Sequence, residues 1–148
     1  MKPDISRVLE VLAGTLMVDV APNVTPSYRQ ASVFANALLL TNIREELDRI
    51  AERRVEENRA LRALFAQAAP DIADAPLRAR LAEAAESQEP SLRISALDAS
   101  NAGLRQLAIE LHAYVEAQDV PAARRIEASL WRELAASTER RKLGLGAF

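Results

Sequence analysis

Between Ser27 and Ala69 the chain runs forty-three residues without a single proline or glycine. Nothing in this stretch forces a turn, and its apolar residues Val33, Leu40, Ile43, Leu47 and Ile50 recur at the three- and four-residue spacing of a packed helix. The stripe then falters, because Arg54 and Glu57 take the next positions, before Leu61, Leu64 and Ala68 resume it. One helix of this length would be a rod of roughly 64 Å at about 1.5 Å per residue. A compact domain of this chain length has a diameter of about 40 Å. The spacing therefore predicts a break near Val55–Asn58, with Asn58 capping a second helix. The alternative is a single helix that projects and meets a second subunit.

Prolines and capping residues divide the rest of the chain. Asp4 caps a first helix with apolar positions Ile5, Val8, Leu9, Leu12, Leu16 and Val20, which Pro22 and the Asn23–Pro26 stretch end. Gly14 weakens that helix by about 1 kcal/mol unless close packing needs a bare backbone. Thr25 followed by Pro26 reads as a capping hydroxyl and a proline at the first helical position. Pro70–Pro76 is a connector with its own cap, Asp74, and leads into a short helix from Leu77 to Glu86. After the Ser87–Pro90 turn, Ser91 opens a long helix through Gln118. Its positions Ile94, Leu97, Asn101, Leu104, Ala108, Leu111 and Val115 form a heptad with one amide in the seam. Asp119 and Pro121 open the last helix, where Ile126, Leu130, Trp131 and Leu134 make the expected buried face. No segment alternates with period two. The expected fold is all-α, an antiparallel up-and-down bundle of five or six helices in a single domain over 1–148, with 143–148 a flexible tail.

Composition agrees with helix and excludes several chemistries. The 148 residues include 29 alanines, only 4 glycines and 4% aromatics. Without cysteine there are no disulfides and no thiolate metal sites. The net charge of −2 gives no general electrostatic reason to bind nucleic acid. Asp4, Arg7, Glu10 and Asp19 interrupt the apolar start of the chain, so neither a secretory apolar run nor a membrane span is expected there, and the cytoplasm is the expected compartment. Basic residues are 17 arginines against two lysines, as codon bias from a GC-rich genome would produce.

Candidate chemistry is sparse. His112 has Glu116 four positions on, a pair read as a surface contact because no nucleophile pattern accompanies it. Glu45-Glu46 and Glu56-Glu57 alternate with Arg44, Arg49, Arg53, Arg54 and Arg59, the pattern of a solvated, salt-bridged helix face. The phosphate-cradling glycine motifs are missing, and acids dilute the Arg124-Arg125 and Arg140-Arg141-Lys142 clusters. No catalytic residue, metal or cofactor is expected. The polar residues inside apolar stripes are the exception. Buried amides must be hydrogen-bonded or they cost about 1–3 kcal/mol, so asparagines such as Asn36, Asn42 and Asn101 either fix helix register or line a small pocket. That pocket would use Asn36, Asp98, Asn101 and Arg105, with Arg93 nearby.

The segment YRQASVFANALLLTNIREEL, Tyr28–Leu47, with its Val33-x-Ala35-Asn36-Ala37-Leu38 element, resembles a family of small bacterial helical domains of unknown function. Members of that family are encoded beside aminoglycoside-phosphotransferase-like kinases and acyl-CoA dehydrogenases. The resemblance covers the N-terminal third, with Ser32 standing where the family pattern has arginine. It implies an accessory partner of an enzyme and carries over only Asn36, without a role.

The expected function is therefore a non-enzymatic helical interaction or accessory protein, a homodimer that acts through helix–helix contacts and has an enzyme as a possible protein partner. Neither nucleic acid nor membrane is an expected partner. The alternative is a small-molecule binder or weak enzyme with a polar pocket between the long helices.

Overall fold

A computed structural model describes residues 4–142, and its described residues are all-α, with five α-helices and no strand. They fall into two units, each with its own packing: one reaches Ile50 and the other covers Ala51–Lys142. No helix among the described residues is long and apolar enough to cross a membrane. The Leu143–Phe148 tail lies outside the described residues.

The first unit begins with α1, Ile5–Thr15, capped as its sequence requires by the Asp4 carboxylate accepting from the Arg7 amide at 3.2 Å. A Cβ at Gly14 would meet no atom within 4 Å, so packing does not demand the glycine. Beyond Thr15 the helix widens into a π turn, Leu16–Val20, and closes with a 3-10 turn, Ala21–Asn23. Pro22 is the physical reason: it has no N–H to give and its ring crowds the carbonyl four residues back. Side-chain amides satisfy two of the carbonyls left over at this end, Asn23 Nδ2 donating to Asp19 O at 2.8 Å and Gln30 Nε2 to Ala21 O at 3.0 Å. The next helix, α2, starts at Ser27, one residue later than the Thr25–Pro26 signal predicts. Pro26 holds the cap position, its carbonyl accepting from the Arg29 amide at 2.9 Å.

Helix α2 spans Ser27–Ala68 without interruption, which overturns the expected break near Val55–Asn58. The stripe falters there because polar side chains replace apolar ones on the inward face. Arg53, Glu57 and Asn58 are all buried, and Asn58 caps nothing. The second unit then follows as the latter part of α2, α3 (Ala75–Glu86), α4 (Ile94–Glu116) and α5 (Pro121–Arg140). Side-chain contacts give the helix directions. Arg54 reaches Asp98 and Asn58 reaches Asn101, so α2 and α4 run parallel; Arg105 reaches Ser137 and His112 reaches Trp131, so α4 and α5 run antiparallel. Both directions are compatible with up-and-down order.

Helix α3 starts at Ala75, two residues before the expected Leu77, and is capped as expected, with the Asp74 carboxylate accepting from the Leu77 amide at 2.7 Å and Pro76 in the first turn. Replacing Asp74 by alanine should cost about 1 kcal/mol in urea unfolding, and a loss below a few tenths would show that the cap is idle. Helix α4 starts at Ile94 rather than Ser91, because the Ser91 hydroxyl accepts from the Arg93 amide two residues on and makes a turn instead of a cap. Its heptad is buried at Leu97, Asn101, Leu104, Leu111 and Val115, together with Leu107. On α5 the inward face is Ala123, Ile126, Leu130 and Ser137; Trp131 and Leu134 are exposed, against expectation. The stripe turns away from both residues at the helix's C-terminal half, where Ser137 points inward. Phe65, Ile72, Leu81 and Leu111 are the largest apolar side chains at the centre of this unit's core.

Candidate functional site

Arg54, Glu57, Asn58 and Leu61 continue the core stripe of α2 at three- and four-residue intervals, so helix geometry turns three polar side chains toward α4 and α5. Glu57, 1% exposed, is the centre of the resulting cluster. Its Oε1 accepts from Arg141 Nε at 2.8 Å and from Ser137 Oγ at 3.0 Å. Its Oε2 accepts from Arg141 Nη2 at 3.0 Å, Arg54 Nη1 at 3.1 Å and Asn101 Nδ2 at 3.3 Å. The two-pronged Arg141 contact is the strong geometry for a guanidinium and a carboxylate. Arg105 Nη2 stands further off, 3.8 Å from Glu57 Oε2, and donates to Ser137 Oγ at 2.9 Å. Arg54 also reaches Asp98 at 2.6 Å.

Burial pushes the Glu57 carboxyl up, but hydrogen bonds from Arg141 and Ser137 and the charges of Arg141 and Arg105 overcome it and hold the group at about 2. A carboxylate so firmly ionised and so fully supplied with donors is a fixed charge, not a base poised for proton transfer. Burial, then the like charge of Arg141, pulls the Arg105 guanidinium below its ordinary range, and Glu57 restores only part of that. Burial lifts the nearby Glu133 carboxyl above the usual range, against the charge of its partner Arg140.

A second polar knot adjoins the first. Asn58 Oδ1 accepts from Asn101 Nδ2 at 2.8 Å, while Asn58 Nδ2 donates to Glu89 Oε1 at 3.0 Å. Arg62 pairs with Glu89 and donates to Ser100 Oγ at 3.1 Å. Burial raises the Glu89 carboxyl, yet the Arg62 and Asn58 hydrogen bonds leave it lowered overall. Among the described residues no three His, Cys, Asp or Glu side chains are grouped to hold a metal ion.

Above Glu57 the three helices leave a cavity of about 290 Å³. Each helix lines it with a stripe at helical spacing: Glu57 and Leu61 from α2, Arg105, Ala108, Ile109 and His112 from α4, Leu130, Glu133, Leu134 and Ser137 from α5. His112 meets Trp131 edge-to-face, with ring centroids 5.4 Å apart.

Three of the residues named from sequence, Asp98, Asn101 and Arg105, thus share one network. Of these only Arg105 lines the cavity. Asn36 is exposed on α2 in the first unit, where Ala37 takes the buried position, and Arg93 is exposed as well. Asn42 is half-buried. Sequence reasoning missed Glu57, Arg54, Ser137 and Arg141, and it misread Glu56-Glu57 and its arginines as a wholly solvated face. The available signal was periodicity, since Glu57 sits one turn before Leu61 on the core stripe.

The first unit presents a different surface. Among its described residues the buried ones are three alanines, Ala13, Ala21 and Ala37. Ile5, Val8 and Leu12, which share one face of α1, and Ile43 and Leu47 on α2 are exposed, although their spacing predicts a packed stripe. Small residues occupy the packing positions instead, so the large side chains flank them. Compared with known proteins, the chain matches no family model, no curated protein and no solved structure.

Proposed function

We propose that this protein is a helical interaction protein whose first unit docks on a second copy of the chain through α1 and the N-terminal part of α2. One observation carries the reading: among the described residues of that unit twelve large hydrophobic side chains are exposed, while only alanines are buried. Exposed apolar surface of this kind marks an association site.

A second copy suits the surface electrostatically. The same helices carry both signs, Arg44 lying 3.8 Å from Glu10 and Arg49 2.9 Å from Glu45, so the surface is complementary to itself. The net charge of −2 adds little repulsion between copies. The resemblance of Tyr28–Leu47 to helical domains encoded beside kinases and dehydrogenases supports an accessory role, with an enzyme as the further partner.

Light scattering behind size-exclusion chromatography tests the reading. At micromolar concentration the chain should run at about twice its 16.2 kDa. Val11→Glu combined with Ile43→Glu, both at exposed positions, should give the monomer mass with an unchanged circular dichroism spectrum. A wild-type chain that is monomeric under the same conditions would overturn it.

A further inference from the structure

The cavity between α2, α4 and α5 has apolar walls, Leu61, Ala108, Ile109, Leu130 and Leu134, over a charged floor. Its size stands at the small end of ligand pockets, which run about 300–1,000 Å³. Arg105 stands on that floor beside Glu57, which Arg54 and Arg141 already engage. Glu133, the other acid on the wall, is paired with Arg140.

Arg105 is the least engaged of the three cations around Glu57. Arg141 and Arg54 contact Glu57 at 2.8 and 3.1 Å, whereas Arg105 approaches it only to 3.8 Å. Arg105 Nε is buried and meets no hydrogen-bond acceptor among the described residues. Buried donors are almost always paired, so a donor of this kind beside an apolar cavity calls for an acceptor from outside the chain. Exposed Ile109, Trp131 and Leu134 continue the apolar surface outward from the cavity mouth.

We propose that this cavity binds a small monocarboxylate with an apolar body, the carboxylate received by Arg105 and the body lying along Leu61, Ile109, Leu130 and Leu134. A guanidinium fits a carboxylate through parallel N–H donors. The apolar walls suit an anion with an apolar body better than inorganic phosphate.

The probe is octanoate, titrated into the whole protein by calorimetry and followed by fluorescence of Trp131, the sole tryptophan. Saturable binding at one site per chain is expected, with octanol and inorganic phosphate each at least tenfold weaker. Arg105→Gln should weaken octanoate at least tenfold. Because Arg105 also serves the Glu57 network, Ala108→Leu is the companion variant: it fills the cavity from an apolar wall, leaves every charge in place, and should lose octanoate equally. Absence of saturable octanoate binding would overturn the proposal. So would octanol binding as tightly as octanoate, phosphate binding more tightly, or octanoate binding unchanged in Ala108→Leu. Light scattering on the same samples keeps this result separate from the oligomeric state.

Discussion

Glu57→Ala should destabilise the second unit by about 3–5 kcal/mol, the usual cost of removing one partner from a buried ion cluster. The loss is large because the carboxylate answers three cations at once. Without it Arg54, Arg105 and Arg141 lose their shared counter-charge, and Ser137 and Asn101 lose an acceptor. Glu57→Gln keeps the shape and removes the charge, so it isolates the electrostatic part. The pH dependence provides the control. Folding lowers the Glu57 carboxyl from 4.5 to about 2, so the folded state holds the proton less tightly than the unfolded chain. Its contribution, about 3 kcal/mol from that difference, is fully present above pH 4.5 and is lost as the pH falls toward 2. Glu89, also lowered, loses stabilisation in the same direction, while Glu133, raised, is relieved on acidification and opposes them. Urea titrations followed by circular dichroism between pH 7 and 2 should therefore show a slope in the wild type that is much reduced in Glu57→Gln. A Glu57→Ala loss below 1 kcal/mol at pH 7, or an equal slope in both chains, would contradict the account.

Phe65→Ala should cost a similar amount, about 3–5 kcal/mol, through the cavity it leaves. Phe65 is 0% exposed and packs in the core with Ile72, Leu81 and Leu111 on helices too constrained by their neighbours to collapse around a void. Phe34, on the same helix, is 40% exposed, and Phe34→Ala should cost less than about 1 kcal/mol in the monomer. The two truncations are chemically identical. Their difference in urea midpoint measures how unevenly one helix is buried along its length. Equal losses would mean that the first unit has a core of its own.

Several features were legible in the residues alone because their causes are local. The Asp4 and Asp74 caps act over three residues. Pro22, Pro76 and Pro121 act on their own turns, and heptad spacing placed Leu97, Leu104, Leu111 and Val115 in the core of α4. Helical identity followed from the same short-range physics, since alanine-rich, glycine-poor segments settle their hydrogen bonds within four residues. Start positions slipped by one to three residues where a turn competed with a cap, as at Ser91.

What only the tertiary structure decided was which side of each helix faces inward and what a polar residue meets there. Periodicity marks a face and does not say whether that face is covered: Ile5, Val8 and Leu12 of α1 and Ile43 and Leu47 of α2 recur at the same spacing as the buried leucines of α4, yet they are exposed. Glu57 carries the same lesson in reverse. Beside Arg53 and Arg54 it reads as a solvated charge, and it is buried because its partners arrive from 44, 80 and 84 residues away, at Asn101, Ser137 and Arg141. A carboxylate enters a protein interior only where enough donors converge to replace its water. Convergence over such separations belongs to the packed chain, and no window of neighbouring residues contains it.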